Sequence, residues 1–216
     1  MRETVISTIE KEKIIAILRG IAGEDLIPLA EALYAGGIRL LEVTYDASGR
    51  VSDEETAAAI ATLAAHFEGR MLIGAGTVLT VEQVALTHAA GGRFIISPDT
   101  CEKVIEKTRA LGMVSIPGAL TPTEIAAAHR AGADFVKLFP VNALGAAYVK
   151  AIRAPLSHIR LLAVGGICPD NMGEYLQAGI AGFGIGSNIT PKDAIKAKDF
   201  ERITALARQY AEEIAK

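Results

Sequence analysis

Two kinds of segment alternate along the chain, and they differ in how their apolar residues are spaced. Short apolar runs, rich in branched and aromatic side chains, are followed by longer segments with helical spacing that mostly stop at a glycine. The short runs are typical of buried strands and the longer segments of amphipathic helices. The pattern predicts strands at 14–19, 40–45, 71–78, 94–98, 114–118, 135–140, 160–166 and 183–188.

Helices are predicted between these strands and at both ends of the chain. Thr121 is expected to cap its helix, because Pro122 suits the first helical position and Glu124 lies three residues beyond the cap. The expected helices are 3–12, 24–35, 53–67, 81–90, a segment that ends at 111, 122–131, 145–154, 170–178 and 198–215.

Eight strands that are each followed by a helix predict a parallel sheet that is buried on both faces. The expected fold is a single α/β domain over residues 1–216, a (β/α)8 TIM barrel with a short N-terminal helix. An open doubly wound sheet is the alternative, but residues 19–23 lack the dinucleotide-binding fingerprint expected after its first strand.

Composition and charge exclude several classes of protein. Half of the 216 residues are hydrophobic, and the formal net charge is −3 with acidic and basic residues interspersed. No basic surface for nucleic acid or membrane is indicated, and no apolar run approaches the roughly 20 residues that span a bilayer. Residues 1–13 lack a signal-peptide core, and Cys101 and Cys168 are too few and too far apart for a disulfide framework. We therefore expect a soluble cytoplasmic protein.

A lysine lies in the middle of the sixth predicted strand, Phe135–Pro140. Because side chains alternate along a strand, Lys137 shares one face with Phe135 and Phe139. Burial disfavours the charged ammonium group and lowers its pKa, and a neutral amine is what attack on a ketone requires. A lysine that snorkels to the surface or forms a structural ion pair is the alternative interpretation.

Polar residues and glycines stand at the expected C-terminal ends of several strands, where the active site of a barrel lies. Glu42 and Lys137 are both expected to point into the barrel, where a carboxylate beside the amine could relay protons. A structural Glu42–Lys137 salt bridge is the alternative, although a desolvated pair adds little stability. The other residues of this group are Arg19, Thr44, Thr77, Ser97, Gly118, Gly165, Gly166, Gly186 and Ser187.

The glycines that follow the seventh and eighth strands predict a phosphate site, which this fold usually holds there. Glycine lets backbone N–H groups approach an oxyanion, and the helix that begins near Asp170 could offer its positive end. Tight turns also favour glycine pairs, so the prediction depends on their position in the fold. Arg19 could supply a guanidinium for a carboxylate or a phosphate, or could be a surface arginine at a strand end.

Neither a metal nor a cofactor is predicted. The four histidines fall on or near predicted helices and form no metal-binding motif. The two cysteines are expected to be incidental rather than nucleophilic. The histidines are His66, His88, His129 and His158.

Read together, these residues resemble the bacterial 2-keto-3-deoxy-6-phosphogluconate (KDPG) and 4-hydroxy-2-oxoglutarate (KHG) aldolase family, which has phosphogalactonate relatives. The resemblance runs from about residue 13 to residue 188. Eight motifs carry it, and their combination and order along the chain are specific to this family. They are Ile-Leu-Arg at 17–19, Leu-Glu-Val-Thr at 41–44, Gly-Ala-Gly-Thr at 74–77, Ile-Ser-Pro at 96–98, Ile-Pro-Gly at 116–118, Phe-Val-Lys-Leu-Phe-Pro at 135–140, Gly-Gly at 165–166 and Gly-Ser at 186–187.

The resemblance implies a metal-free class I aldolase that forms homotrimers and releases pyruvate and glyceraldehyde 3-phosphate. Lys137 would form the Schiff base with pyruvate, and Glu42 would move protons for carbinolamine formation and carbon–carbon cleavage. The other implied substrate-binding residues are Arg19 and Thr77 near the carboxylate, Gly165, Gly166 and Ser187 at the phosphate, and Pro98 and Gly186.

Two positions depart from the gluconate-type pattern. Asp46 stands where many members have an arginine that binds the substrate carboxylate. In this chain, Arg19 or Arg50 would bind the carboxylate instead. Val164 precedes the double glycine where threonine is frequent, which is more similar to the galactonate type.

The longer loop at 46–52 is expected to reshape the entrance to the active site. The preference among phosphogluconate, phosphogalactonate and hydroxyoxoglutarate substrates stays open, because the first two differ in one hydroxyl configuration.

Two other functions are consistent with the same residues. In another phosphate-binding barrel enzyme, such as an isomerase or a synthase, Lys137 would act only electrostatically. In a non-catalytic sugar-phosphate-binding barrel, Lys137 would pair with Glu42. Trapping of a pyruvate imine on Lys137 would separate the aldolase from both.

Overall fold

The computed structural model describes residues 1–21 and 23–216 and contains one parallel sheet. The sheet order is β5-β4-β3-β2-β1-β9-β8-β7-β6. All of the strands run in the same direction, so their C-terminal ends meet at one face of the molecule. The strands are β1 (Ile14–Arg19), β2 (Leu40–Thr44), β3 (Leu72–Gly76), β4 (Phe94–Ile96), β5 (Val114–Ile116), β6 (Gly118–Ala119), β7 (Val136–Leu138), β8 (Leu161–Val164) and β9 (Gly182–Ile185).

Strands β5 and β6 are two segments of the fifth predicted strand, which Pro117 divides. Proline has no N–H to donate, so it interrupts the ladder. Backbone hydrogen bonds to the next strand along the barrel are nevertheless present before and at Pro117. Ser115 O accepts from Asp134 N at 3.0 Å, and Pro117 O accepts from Lys137 N at 2.8 Å. The two ends of the sheet order therefore meet, and the predicted (β/α)8 barrel with an N-terminal helix is confirmed.

The helices lie close to their predicted ranges, with one addition. The predicted capping box is present, because Glu124 N donates to Thr121 Oγ1 at 3.4 Å and Thr121 N donates to the Glu124 carboxylate at 2.8 Å. Helix α9 was not predicted, because its five residues are too few to show a periodicity. The helices are α1 (Arg2–Glu12), α2 (Leu26–Ala35), α3 (Asp53–His66), α4 (Val81–Ala89), α5 (Glu102–Ala110), α6 (Pro122–Arg130), α7 (Gly145–Arg153), α8 (Pro169–Gln177), α9 (Lys192–Lys196) and α10 (Phe200–Ile214), with 3₁₀ turns at Gly23–Asp25 and Val141–Ala143.

No helix in the part of the chain that the structure describes combines the length and the apolar character needed to cross a membrane.

The buried apolar side chains form two layers. The larger layer fills the space between the strands and the surrounding helices. The smaller layer fills the N-terminal half of the barrel interior, and helix α1 closes this end of the barrel. We call helix α1 the plug. The members of the smaller layer are Val5, Ile6 and Ile9 of α1 together with Ile15, Leu40, Phe94, Ile96, Val114, Ile116, Phe135 and Leu162.

A buried carboxylate fastens this plug to the barrel. Asp134 Oδ1 lies 3.1 Å from Arg2 Nη2 and 3.2 Å from Arg109 Nη1, and its Oδ2 accepts from Ser115 N at 3.0 Å. Helix α1, helix α5 and strand β5 therefore share one anionic partner at the end of the barrel opposite the strand C-termini. This end supports the fold, and the polar strand ends lie on the other face.

Candidate active site

Glu42 and Lys137 point into the barrel, as the alternation along their strands predicts. Their side chains lie among residues that are almost completely buried, with Glu42 2% and Lys137 8% exposed. The residues on either side of them in sequence belong instead to the outer layer of the core. Those neighbours are Leu41, Val43, Val136 and Leu138.

Burial shifts the pKa values of both groups toward their neutral forms. Desolvation raises the pKa of the Glu42 carboxyl, while the positive charges of Lys137 and Arg19 act in the opposite direction. Desolvation lowers the pKa of the Lys137 ammonium, Glu42 opposes this shift, and Arg19 reinforces it. The neutral amine is therefore more accessible at Lys137 than in a solvent-exposed lysine.

The alternative structural salt bridge is not formed. Among the ion pairs of residues 1–21 and 23–216, none joins Glu42 to Lys137 within 4.0 Å. The two groups influence each other's pKa through their charges, without an ion pair between them.

A glycine on the neighbouring strand makes space for the Glu42 carboxylate. A Cβ atom built on Gly76 would lie 1.8 Å from Glu42 Oε1 and 2.5 Å from its carboxyl carbon. Any side chain at this position would displace the carboxylate. The Gly-Ala-Gly-Thr motif thus has a steric role beside Glu42 that the sequence alone did not assign.

Thr77, the residue after Gly76, has a strained backbone. Its φ of 55° lies in the left-handed region, which a β-branched residue rarely adopts. Strain of this kind is characteristic of functional positions, where the surrounding structure holds the residue in place. Thr77 is partly buried at the C-terminal end of β3, as a substrate-binding residue would be.

Arg19 lies exposed at the end of β1, where it is in register with Thr44 of β2. Its charge influences both Glu42 and Lys137, so it belongs to the same electrostatic environment. The prediction that Arg19 faces the site is consistent with this placement.

The Asp46 carboxylate is bound by its own loop. It accepts hydrogen bonds from Ser48 N at 3.0 Å, Ser48 Oγ at 2.6 Å, Arg50 N at 3.1 Å and Val51 N at 3.2 Å. These bonds lower the pKa of Asp46 to about 2, so the group stays ionised while it orders the 46–52 loop. The Arg50 guanidinium bonds Ser48 Oγ at 2.9 Å on the exposed side of this loop. The sequence could indicate the departure at Asp46 but not this role.

The predicted phosphate loop begins close to the lysine strand. Lys137 Nζ lies 4.8 Å from the centroid of the Phe139 ring, and Phe139 Cδ2 would lie 3.6 Å from a Cβ on Gly165. Gly165 and Gly166 both have positive φ, at 105° and 68°. A Cβ on Gly166 would lie 2.6 Å from Asn142 Cβ, so only glycine fits there. The diglycine loop is therefore adjacent to the lysine site.

The second predicted phosphate turn, at Gly186 and Ser187, is connected to the first by a hydrogen bond. Asn188 Nδ2 donates to Ile167 O at 2.8 Å, which joins the turn after β9 to the turn after β8. Helix α8 begins at Pro169, so its N-terminal end also faces this region. Within the described parts of the chain, the backbone N–H groups of Gly166, Ile167 and Ser187 donate to no other residue. The N–H groups of Gly166 and Ile167, just before the start of α8, and that of Ser187 in the neighbouring turn together provide an anion-binding surface.

The remaining predicted residues have less direct connections to this site. Pro98 is exposed after β4, and its carbonyl oxygen would lie 2.3 Å from a Cβ on Gly118. Val164 points into the barrel, because a Cβ on Gly184 would lie 2.8 Å from Val164 Cγ2. Ser97 is buried beside the β4 end.

Three of the four histidines, His66, His129 and His158, make side-chain contacts with other residues of the chain. His66 Nε2 lies 2.6 Å from Glu31 Oε1, and the rings of His129 and His158 stack edge to face with centroids 5.1 Å apart. In the described part of the chain, no three His, Cys, Asp or Glu side chains are grouped as a metal site would require.

Sequence reasoning missed the side chains that surround the diglycine loop. Asn171 Nδ2 donates to Gly166 O at 3.0 Å, and Tyr210 of the C-terminal helix donates to Ile167 O at 3.1 Å. One signal was available, because the chain has only three asparagines and two of them, Asn171 and Asn188, follow these glycine turns closely. The contribution of Tyr210 depends on tertiary packing and had no local signal.

Taken together, the mouth of the barrel holds a buried amine, a buried carboxyl that can exchange protons, and two turns that present N–H groups to an anion. An amine of this kind can form an imine with a ketone, and the anion site can fix the other end of a phosphorylated molecule.

Comparison with known proteins agrees with this chemistry. The KDPG and KHG aldolase family model matches residues 5–206. The chain is 37% identical over 208 residues to the 2-dehydro-3-deoxy-phosphogluconate aldolase of Treponema pallidum, covering 95% of both chains. It is 33% identical to the 2-dehydro-3-deoxy-6-phosphogalactonate aldolase of Escherichia coli K12, covering 94% of this chain and 97% of that one.

A solved structure shows the same fold. The crystal structure of KDPG aldolase from Legionella pneumophila, with pyruvate captured as a covalent carbinolamine, matches with a TM-score of 0.83 at 34% identity. The match covers 94% of this chain and 96% of that one. The chain therefore belongs to the KDPG and KHG aldolase family and is an aldolase, a carbon–carbon lyase.

Proposed function

We propose that this aldolase cleaves a 2-keto-3-deoxy-6-phospho sugar acid to pyruvate and glyceraldehyde 3-phosphate through a Schiff base on Lys137. The observation that carries the proposal is the buried Lys137 amine, whose lowered pKa favours the nucleophilic form, beside the separate buried carboxyl of Glu42. The adjacent diglycine turn supplies the phosphate end of the same site.

The reaction begins at the substrate ketone. Lys137 Nζ attacks C2 to give a carbinolamine, and loss of water gives an iminium ion that can accept electrons. Glu42 takes the proton from the C4 hydroxyl, the C3–C4 bond breaks, and its electrons move into an enamine as glyceraldehyde 3-phosphate leaves. A proton is then returned to C3, and water hydrolyses the iminium to release pyruvate and the free lysine. Glu42 needs a pKa nearer to neutrality for these exchanges, and burial provides that shift.

The remaining residues of the site bind the two charged ends of the substrate. Arg19 and Thr77 hold the carboxylate end, near the ends of β1 and β3. Pro98 lies at the mouth of the barrel after β4 and borders the substrate. The phosphate is bound by the turns after β8 and β9, through Gly165, Gly166, Gly186 and Ser187. Asp46 does not repel the carboxylate strongly, because its charge is compensated by four donors of its own loop.

Borohydride reduction in the presence of pyruvate tests the Schiff base directly. We expect a pyruvate adduct on the peptide that carries Lys137, detected by intact and peptide mass spectrometry, and no adduct in Lys137→Ala. Folded wild-type protein that gives no adduct would contradict the proposal. Phosphosugar isomerisation without a trapped imine would instead indicate an isomerase, and phosphosugar binding without turnover would indicate a binding protein.

The substrate class is tested by comparing kcat/KM for three compounds: the phosphogluconate derivative, its phosphogalactonate epimer and 4-hydroxy-2-oxoglutarate. The phosphorylated compounds should be preferred, because the shorter one has no group for the diglycine turn. Preferential cleavage of 4-hydroxy-2-oxoglutarate to pyruvate and glyoxylate would contradict this choice of substrate.

We also propose that the enzyme is a cytoplasmic homotrimer that acts in sugar-acid breakdown of the Entner–Doudoroff type. Large apolar side chains that are exposed in loops after strand ends support association, among them Leu79 and Leu144. Analytical ultracentrifugation should give a mass three times that of the 22.7 kDa chain.

A further inference from the structure

The carbonyl groups of the diglycine turn are held from behind by side chains. Gly166 O accepts from Asn171 Nδ2 at 3.0 Å. Ile167 O accepts from Asn188 Nδ2 at 2.8 Å and from Tyr210 Oη at 3.1 Å. Two consecutive peptide groups are therefore fixed by donors from three different segments of the chain.

Fixing a carbonyl also fixes the N–H of the next residue. A trans peptide is planar, so its C=O and N–H point in opposite directions. Because Asn171 holds Gly166 O, the N–H of Ile167 must point away from Asn171. Among residues 1–21 and 23–216, no acceptor takes this N–H or that of Gly166.

The turn after β9 is built in the same way. Gly186 O accepts from Ile189 N at 2.9 Å, Thr190 N at 3.1 Å and Thr190 Oγ1 at 3.2 Å. The N–H of Ser187 therefore points in the opposite direction, and no residue in the described ranges accepts it. Asn188, one residue further, connects this turn to Ile167 and so fixes the position of the two turns relative to each other.

We propose that Asn171 and Asn188 are positioning residues for the phosphate group, which hold the two turns in their anion-binding conformation before substrate arrives. They do not touch the phosphate in this role. Asn171 holds Gly166 O, which orients the free N–H of Ile167, and Asn188 holds Ile167 O, which fixes the turn after β9 against the turn after β8. The inference rests on the proposed function for the identity of the anion. Its physical basis is pre-organisation: N–H groups that are already oriented lose little conformational entropy when the phosphate binds.

Asn171 has a second task that Asn188 lacks. Its Oδ1 accepts from Cys168 N at 3.0 Å, which satisfies a free N–H at the start of helix α8. The Asn171→Ala variant should therefore lower the melting temperature as well as weaken phosphate binding. Asn188 is exposed and caps no helix, so Asn188→Ala separates the effect on phosphate from the effect on folding.

The test uses inorganic phosphate as the probe, with the full chain. We expect Asn188→Ala to weaken phosphate binding, measured by ³¹P NMR titration, roughly tenfold, the scale of one hydrogen bond. KM for the phosphorylated substrate should rise by a similar factor, while the rate of borohydride trapping of pyruvate on Lys137 stays within about twofold of wild type. Gln177→Ala is the matched control, since it truncates an exposed carboxamide at the far end of helix α8.

Two outcomes would overturn the inference. Unchanged phosphate affinity and KM in folded Asn188→Ala would show that the turn keeps its conformation without this bond. Equal loss of phosphate binding and pyruvate trapping would show a general structural role. If wild type binds phosphate but cleaves no phosphorylated sugar acid, the proposed function fails, and the phosphate titration of the variants still decides this inference.

Discussion

At the scale of single residues, Glu42 is placed where its charge is unfavourable for folding. The carboxyl is buried and its pKa is raised above the ordinary value of 4.5, so the folded protein resists an ionisation that the unfolded chain accepts. The wild-type protein therefore loses stability as the pH rises from below 4.5 toward the raised pKa. This cost in stability agrees with the proton-transfer role proposed for Glu42.

Glu42→Gln should separate these two properties. We expect the variant to be more stable than wild type at neutral pH, by on the order of 1 kcal/mol, because no buried carboxylate has to form. Its kcat should fall roughly 10²- to 10⁴-fold with the loss of the proton acceptor. Urea unfolding across a pH series should show the stability difference shrinking below pH 4.5, where the wild-type carboxyl is protonated in both states. A variant that is less stable at neutral pH would contradict this account.

Gly76→Ala should affect the same carboxylate sterically. The new Cβ would lie 1.8 Å from Glu42 Oε1 and 2.9 Å from Thr44 Cγ2, so the Glu42 side chain must move. We expect stability to fall by about 1–3 kcal/mol and kcat to fall at least tenfold, measured by thermal unfolding and steady-state kinetics.

Gly173→Ala is the control for this prediction. Gly173 lies inside helix α8, and a Cβ there would meet nothing within 4 Å. Alanine is the better helix former, so this variant should gain about 0.5–1 kcal/mol and keep full activity. Normal catalysis by Gly76→Ala would show that Glu42 has room that the structure does not indicate.

At the scale of elements, most of the fold could be predicted because its signals are local. Strand β1 was predicted with its observed bounds, Ile14–Arg19, because an apolar run and the charges beside it lie within a few residues. The Thr121 cap followed from three neighbouring residues. Pro117 shows in the sequence that the fifth strand lacks one N–H donor, but whether pairing continues beyond it depends on the neighbouring strand. Non-local features such as Asp134 had no signal in the sequence.

Asp134 is the residue through which helix α1 is fastened to the barrel. Asp134→Ala should lower the free energy of unfolding by about 3–5 kcal/mol, because Arg2 and Arg109 would lose their shared partner and Ser115 N its acceptor. Urea denaturation measures this loss. Glu3→Ala is the matched control: Glu3 also contacts Arg2, at 3.6 Å, but its side chain is 80% exposed, so the change should stay within about 0.5 kcal/mol. Equal effects of the two variants would refute the special role of Asp134.

At the scale of the whole molecule, the two ends of the barrel have different tasks. The predicted site residues Glu42 and Lys137 could be found from sequence, because a charged residue inside an apolar strand is unusual in itself. The distance between them, the space that Gly76 leaves and the asparagines behind the phosphate turns depend on how separate strands meet. Those features belong to the closed barrel and to no single segment.

This division predicts that stability and activity can be changed separately along the barrel axis. Ile9 of helix α1 is completely buried in the inner layer at the N-terminal end, so Ile9→Ala should cost about 2–5 kcal/mol of stability. Its kcat/KM should stay near the wild-type value at temperatures where the variant is folded, because the plug does not reach the strand C-termini.

Lys137→Met, at the other end, should abolish imine trapping without lowering the melting temperature, because a buried amine with a lowered pKa is replaced by an apolar side chain of similar length. Calorimetry and borohydride trapping on both variants test the pair together. If Ile9→Ala impaired trapping as strongly as it impaired stability, the inner layer would have to transmit its packing to Lys137, with Phe135 as the connecting residue. The expected result is the opposite, because Phe135 belongs to the same buried layer as Ile9, whereas Lys137 lies two residues further along the strand, nearer to its C-terminal end.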